Sequence, residues 1–368
     1  AVINSGLQGA MMAPTEILAE QHYLNVIKNF KGEPFLDYDK SISKIALPGL
    51  LNKQIVVGLL IGSQTPKHKK LVYKLIENRE IDLIIGTHTL FQENLKPYNL
   101  SYVVVDEQHR FGVNQRDELL KKTNIPHILS MSATPIPRSL ALTIYGDLDI
   151  SSIKQVPSIR KPIDTKWCRA EDEKFVAYQK VIDEIRKGNQ AFIVCPLIHK
   201  SEKINAVSIE EIKDEIKNSY LSETKYDFLH GEMDINEKSK VMENFKNKNF
   251  DLLIATPVIE VGVDIPNATC IIIESSDRFG MAQLHQIRGR VGRSDKKSYC
   301  YLFTRNLSEE SVERLDLFRK TKDGFDLAEA DLKLRGPGDY IGSRQSGISD
   351  ISYKMISDEP TLKISRKW

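Results

Sequence analysis

The sequence predicts an α/β protein of two parallel-sheet domains in tandem, and three observations carry that expectation. Short β-branched or aliphatic runs alternate with segments of helical periodicity along most of the 368 residues, the pattern of βαβ units. Three runs in the first half end in small hydroxyl or acidic residues, at Gly86-Thr87-His88-Thr89, Asp106-Glu107 and Ser132-Ala133-Thr134. Right-handed crossovers put those ends on one rim. Between Asp149 and Lys166 the pattern loosens, with Pro157 and Pro162 flanking Arg160-Lys161, and a second βα series follows.

In order, Ala1 to Ser5 reads as a last helical turn closed by Gly6. Ala10 to Ala13 is a short buried strand, and Pro14-Thr15-Glu16 opens a helix with an acid beside its positive end. Strands follow at Ile55 to Leu60, Ile81 to Ile85, Tyr102 to Val105 and His127 to Met131, with helices at Pro66 to Asn78 and near Asn114 to Lys121. In the second series the helices are Glu171 to Lys187, Glu202 to Asn218, Ile235 to Lys246 and Met281 to Arg288. Its strands are Ala191 to Cys195, Tyr226 to Leu229, Leu252 to Ala255, Cys270 to Glu274 and Tyr299 to Phe303. Ser308 to Lys320 is an amphipathic helix, and Asp323 to Gly347 a tail containing glycine and arginine. The expected domains are 1–150, a linker over 151–165, 166–305, and a last segment over 306–368.

Composition excludes several classes. A hydrophobic share of 41% and a charged share of 28% describe an ordinary globular chain, long enough for two cores. The balance of 52 basic and 50 acidic side chains means that any polyanion site must be local. Cys168, Cys195, Cys270 and Cys300 form no CxxC or Cys/His cluster, which argues against a disulfide framework and a structural zinc. No apolar run approaches the ~20 residues of a membrane span, so no membrane partner is expected. A cytoplasmic setting and a monomer are expected.

Two stretches carry chemistry. Val103-Val104-Val105-Asp106-Glu107 is a strand buried on both faces that ends in two carboxylates, where open α/β sheets bind ligands. Such a pair could hold magnesium and activate water; taken alone, it reads equally as a solvated acidic turn. Gln286 to Arg293 alternates arginine with glycine after a helix, which lets backbone approach a ligand while guanidiniums project to it. Phosphoryl transfer needs such positive charge; alone, the stretch is also a solvated basic loop.

Together these stretches resemble the superfamily 2 helicases: Asp106-Glu107-Gln108-His109 is similar to motif II, Ser132-Ala133-Thr134 to motif III and Gln286 to Arg293 to motif VI. Met12 to Glu16, Thr134 to Arg138, Val258 to Asp264 and Gln283 to Gln286 resemble the RecG DNA helicases. The transcription-repair coupling factors share most of these, but Gln108 and the tail Asp331 to Asp339 followed by Ser343 to Gly347 favour RecG. The resemblance implies two RecA-like domains, the first one incomplete, and a helical, hairpin-like translocation segment. It implies ATP and Mg2+ as cofactors, bound between the domains, and branched double-stranded DNA as partner. A single-strand-binding protein is a conceivable partner that the sequence does not show.

Residue by residue, the resemblance implies that Asp106 holds magnesium through water and that Glu107 acts as general base. Gln286, Arg290 and Arg293 act on the phosphates, and Gly262 and Asp264 belong to a nucleotide-binding loop. His109, Ser132 and Thr134 couple nucleotide to DNA. Pro14, Thr15, Thr87, His88 and Thr256 grip DNA phosphates, and Arg335, Arg344 and Gln345 belong to the translocation motif. Locally, a threonine at a strand end is also just a cap.

The sequence departs from this pattern in two places. No GxxxxGK[ST] phosphate cradle occurs in it, although the RecG pattern puts one shortly before the helix at Ala1. A chain truncated just after that motif is therefore expected, lacking its lysine, the central strand of the first sheet and the wedge domain. No ATPase is expected of these residues alone, and a remnant that only binds DNA or a partner is the alternative. Weak amide protection at Tyr102 to Val105 would mark a first domain that has not closed. The second departure is Pro257, which stands where the family has a second threonine and removes one amide donor.

Overall fold

The computed structural model describes residues 2–31, 33–36, 39–46, 54–91, 95–107, 126–132, 149–153, 155, 161–200, 206–217, 221–260, 265–305 and 308–335. The chain divides into two compact units, Ala1–Ala133 and Thr134–Trp368.

In the first unit, strands β1 (Gln8–Met12), β2 (Glu33–Leu36), β3 (Asp39–Ala46), β4 (Gln54–Leu60), β5 (Leu83–Gly86), β6 (Leu100–Val105) and β7 (His127–Ser130) form one sheet in the order β2-β3-β4-β5-β1-β6-β7. The five strands from β4 to β7 in that order are parallel, while β2, β3 and β4 are joined antiparallel. The β2–β3 hairpin is absent from the sequence reading, because its mixed polar residues show no clean alternation. Helix α1 (Glu16–Asn29) starts at Thr15, whose hydroxyl accepts the Leu18 N–H at 3.4 Å. Helix α2 (Pro66–Glu77) starts the same way at Thr65, with proline in its first turn. The expected turn before Gly6 is a 3-10 turn, Ile3–Ser5, and Gly6 closes it at φ 76°.

The strand carrying the acids has a neighbour on each side. Val105 pairs with Met12 of β1 and with Ser130 of β7. The Tyr102 to Val105 ladder is therefore paired on both sides. The last strand of the sheet is β7, and its Leu129 is 45% exposed.

The second unit is built on a fully parallel sheet of β8 (Asp164–Cys168), β9 (Gln190–Val194), β10 (Tyr226–Leu229), β11 (Leu252–Ala255), β12 (Ala268–Ile273) and β13 (Tyr299–Phe303), ordered β10-β11-β9-β12-β13-β8. Strands β9, β11 and β12 are buried along their whole length, as a parallel sheet covered on both faces requires. Helices α3 (Glu171–Arg186), α4 (Ile209–Lys217), α5 (Ile235–Lys246), α6 (Met281–Arg288), α7 (Glu309–Lys320) and α8 (Gly324–Arg335) complete it.

Three elements differ from expectation. Strand β8 begins at Asp164, inside the expected linker, and pairs with β13 as an edge strand. Helix α4 begins at Ile209, not at Glu202, because Ser208 and Glu211 form a reciprocal cap: the Glu211 N–H donates to Ser208 Oγ (3.2 Å) and the Ser208 N–H to Glu211 Oε2 (2.9 Å). The start of the tail is helix α8, opened by Asp323, whose carboxylate accepts the Phe325 N–H at 2.7 Å. Leu315, Phe318 and Leu327 of α7 and α8 share one core cluster with Phe192, Leu284 and Ile287. The expected helix near Asn114 to Lys121 lies outside the described residues.

A paired β6 beside a terminal β7 makes a testable contrast. Hydrogen exchange is expected to show strong protection at Val103 to Val105 and faster exchange at His127 to Ser130. Equal rates in the two strands would contradict this ladder.

Candidate functional site

In the first unit the parallel strands end in step. The Asp106 N–H donates to the Met12 carbonyl at 2.9 Å, the Met131 N–H to Val105 at 2.8 Å and the Ala13 N–H to Gly86 at 2.9 Å. The rim therefore brings together Ala13-Pro14-Thr15, Gly86-Thr87-His88, Asp106-Glu107 and Met131-Ser132. Gly86 is required there, since a Cβ would collide with the Leu60 carbonyl oxygen and the Leu90 side chain.

The Asp106 carboxylate is 18% exposed, and its Oδ2 lies 2.9 Å from His22 Nε2 on α1. Sequence reasoning missed His22, which is 84 residues away. The available signal was its position, seven residues after the Thr15 cap on a helix that packs on this sheet. Glu107 has φ 50°, a left-handed conformation that costs a non-glycine residue about 1 kcal/mol or more and turns the chain sharply after Asp106.

The four predicted DNA-gripping residues of this rim differ in availability. The Thr15 hydroxyl is the α1 cap, and Pro14 beside it is half-buried. Thr87 is 1% exposed, and its hydroxyl has no hydrogen-bond partner among the described residues. His88 is exposed at the start of a 3-10 turn. Ser132 is exposed, whereas His109 and Thr134 lie outside the described residues.

In the second unit, Thr256 is buried after β11, where its N–H donates to the Leu229 carbonyl at 3.0 Å. The following 3-10 turn, Pro257–Glu260, packs on α6, so Thr256 and the arginine motif are neighbours. Gln286 is half-buried on α6. Arg290 is buried, and Arg293 is half-buried with its Nε donating to the Gly289 carbonyl at 3.1 Å.

Arg288 corrects the picture of three projecting guanidiniums. It is 5% exposed, its Nη1 donates to the carbonyls of Phe318 (3.2 Å) and Thr321 (3.1 Å), and its guanidinium lies 4.3 Å from the Phe318 ring. It closes the C-terminal end of α7 and ties α6 to the turn before α8. His285 sits 3.1 Å from Arg288 Nη2, and burial beside that cation pulls its pKa down to about 4, so the ring is a neutral acceptor. Gly292, at φ 75°, leaves room for Ile163, which a Cβ would touch at 2.9 Å. That glycine serves packing. Gly262, Asp264, Arg344 and Gln345 lie outside the described residues, and Arg335 ends α8.

Glu274, at the end of β12, was not singled out by sequence. It accepts the Tyr178 hydroxyl at 3.1 Å, and burial with Glu215 nearby pushes its pKa up to about 7. Among the described residues, no cluster of three or more His, Cys, Asp or Glu is placed to hold a metal, and no helix is long and apolar enough to cross a membrane.

Two RecA-like sheets in succession, with an acidic strand end in the first and a glycine-spaced arginine motif in the second, are the architecture of the DEAD/DEAH-box helicase class. Family models agree: DEAD/DEAH box helicase over residues 2–143, helicase conserved C-terminal domain over 173–295, and ATP-dependent DNA helicase RecG, domain 3, C-terminal, over 321–362. The chain belongs to the RecG family. It is 49% identical over 376 residues to the ATP-dependent DNA helicase RecG of Aquifex aeolicus and 42% identical over 367 residues to that of Staphylococcus aureus. Each match covers 100% of this chain and 45% or 50% of the relative, so the chain spans about half the length of the curated relatives it matches. A solved RecG chain bound to a three-way DNA junction is 38% identical, with a TM-score of 0.73 over 99% of this chain and 44% of that one.

Two predictions separate structural from exposed groups. Arg288→Ala is expected to destabilise the chain by about 2–4 kcal/mol in urea unfolding, because it strands buried carbonyls, whereas Arg293→Ala changes stability by less than about 1 kcal/mol. Between pH 5 and 6.5, Glu274, with its raised pKa, loses stability as pH rises, while His285, with its lowered pKa, gains it. Glu274→Gln should therefore tilt the stability profile upward with pH, and His285→Gln downward, each by about 1 kcal/mol per pH unit.

Proposed function

We propose that this chain is the motor portion of an ATP-driven double-stranded DNA translocase and helicase that works on branched DNA, such as stalled forks and Holliday junctions, in recombination and repair. The observation that carries the reading is the acid pair at the end of β6, in a chain whose whole length matches RecG helicases. The curated relatives are ATP-dependent DNA helicases, and the solved relative holds a three-way junction.

Asp106 and Glu107 supply the acidic part of the chemistry. The Asp106 carboxylate fits Mg2+, a hard cation that binds through one or two carboxylates and keeps several waters, because it is an oxygen donor reachable from the rim. When bound, that ion neutralises charge developing on the phosphates. Glu107 takes the proton of the attacking water from the left-handed backbone position that ends the strand. Arg290 and Arg293 provide positive charge toward the transferred phosphoryl group, with Gln286 orienting it. His88, Thr15 and Pro14 receive DNA phosphates, which fix position without reading sequence. Ser132, His109 and Thr134 carry the coupling, Gly262 and Asp264 the nucleotide loop, and Arg335, Arg344 and Gln345 the duplex-facing tail.

The sequence contains no GxxxxGK[ST] motif, so the 368 residues alone are expected to hydrolyse ATP at background rate, with or without a three-way junction. Joining them to an in-frame upstream segment that carries the cradle should restore junction-stimulated hydrolysis. Glu107→Gln should then lower that rate at least ~100-fold. Restored hydrolysis that ignores Glu107→Gln would overturn the assignment.

A further inference from the structure

Away from the helicase motifs, the second unit carries a cavity of about 220 Å3 between α3 and α4, lined by Lys174, Phe175, Tyr178, Ile212, Glu215 and Ile216 among others. It is smaller than the ~300–1,000 Å3 of a typical small-molecule site, which suits a single long side chain. Its floor is aliphatic, from Ile193 of β9 and Ile212 and Ile216 of α4. Its mouth is apolar as well: Phe175 is 46% exposed and Val176 beside it 60%.

The charge of this cavity is unbalanced. Glu171 and Lys174 satisfy each other at 2.7 Å, and Arg305 is committed to Glu211 at 3.2 Å. Glu215 is solvent-exposed on α4 and has no hydrogen bond or ion pair among the described residues, with Arg305 and Lys174 acting on its carboxylate only at longer range. Behind it, the Tyr178 hydroxyl is turned inward to Glu274, a buried acid without a cation in contact among the described residues. An aliphatic slot with aromatic sides and a solvent-exposed carboxylate beside it is complementary to an apolar stem that ends in a cation, the form of an arginine or lysine side chain.

We propose that this cleft is a docking site for a protein segment that inserts one basic side chain between α3 and α4, with its ammonium or guanidinium against Glu215 and an adjacent aliphatic residue over Phe175 and Val176. The contact is independent of the nucleotide and DNA chemistry. It gives the second unit a place to receive a partner protein. The aromatic sides favour arginine over lysine, since a planar guanidinium stacks on rings.

The test uses the full 368-residue chain and a fluorescein-labelled hexapeptide with one arginine between two leucines. Anisotropy is expected to show saturable binding that falls at least about ten-fold when the arginine is replaced by glutamate or both leucines by serine. Glu215→Gln and Phe175→Ser, both at surface-accessible positions, should each weaken binding at least about five-fold with an unchanged circular dichroism spectrum and melting midpoint. Binding that is indifferent to the arginine, or unchanged in Glu215→Gln, would overturn the proposal, as would absence of binding by folded protein at millimolar peptide. A response to free arginine equal to that of the peptide would overturn the docking of a protein segment and leave a small-cation pocket.

Discussion

The register of the parallel ladders is the constraint on which the rest of this molecule depends. In a sheet covered on both faces, a slip by one residue turns every side chain to the opposite layer and moves each strand end along the rim. Two buried glutamines hold that register at corresponding places. Gln8, the first residue of β1, donates from Nε2 to the carbonyls of Ile76 (3.2 Å) and Ile81 (2.8 Å), and its Oε1 accepts the Tyr98 N–H at 2.8 Å. Gln190, the first residue of β9, donates to the carbonyls of Phe245 (2.7 Å) and Phe250 (2.9 Å). In each case a side chain at the start of a strand donates to carbonyls at the end of a helix and in the loop after it. The strand is thereby pinned lengthwise, and Asp106 emerges one residue past Val105, which lies level with Met12 and Gly86.

That pinning explains which features were legible in the sequence. Unbroken β-branched runs such as Val103 to Val105 and Ile271 to Ile273 announce parallel strands. Only the second is buried along its whole length, and Val104 of the first stays partly exposed, short of the burial on both faces expected of it. Helix starts were legible where a cap and its partner are local, as at Asp234 with Glu237, which places α5 where expected. What sequence missed depends on distant partners. Asp164 to Cys168 is a strand because β13 offers it an edge. Glu33 to Ala46 is a hairpin because β4 accepts β3. His22 and Arg288 have identities any surface helix could carry, and only packing decides that one meets Asp106 and the other the end of α7.

The arginine motif shows the same division within eight residues. Its spacing suggests one purpose for all three guanidiniums, yet Arg288 falls on the face of α6 that carries Leu284 and Ile287 into the core. Position along a 3.6-residue helix settles this, since residues three and four apart share a face. Arg290 and Arg293 come after the helix ends at Gly289 and escape that rule. Gly292 is then needed for the turn and for Ile163. The motif is thus an anchor followed by the groups it positions, and substitution at its first arginine damages folding before it can report on chemistry.

Two buried glutamates of the second unit show how the opposite ends of one sheet are specialised. Glu184 lies near the starts of the strands, bonded to Lys180 and Lys187 at 3.0 Å each, to Asn189 at 2.8 Å and to the Thr269 hydroxyl at 3.1 Å. Those donors hold its pKa down to about 2 despite burial. Lys296 extends the network by bonding both Asn189 and Asn267, so the loops that enter three strands are joined. Glu274 lies at the ends of the strands, has a tyrosine hydroxyl and no contacting cation among the described residues, and sits near pH 7 instead. Burial is alike and the partners differ. Fully compensated charge stiffens the end where strands begin, and under-compensated charge is kept at the end where open α/β sheets receive ligands. The carboxylate of Asp106 in the first sheet follows the same placement, half-sheltered at a strand end with one imidazole beside it.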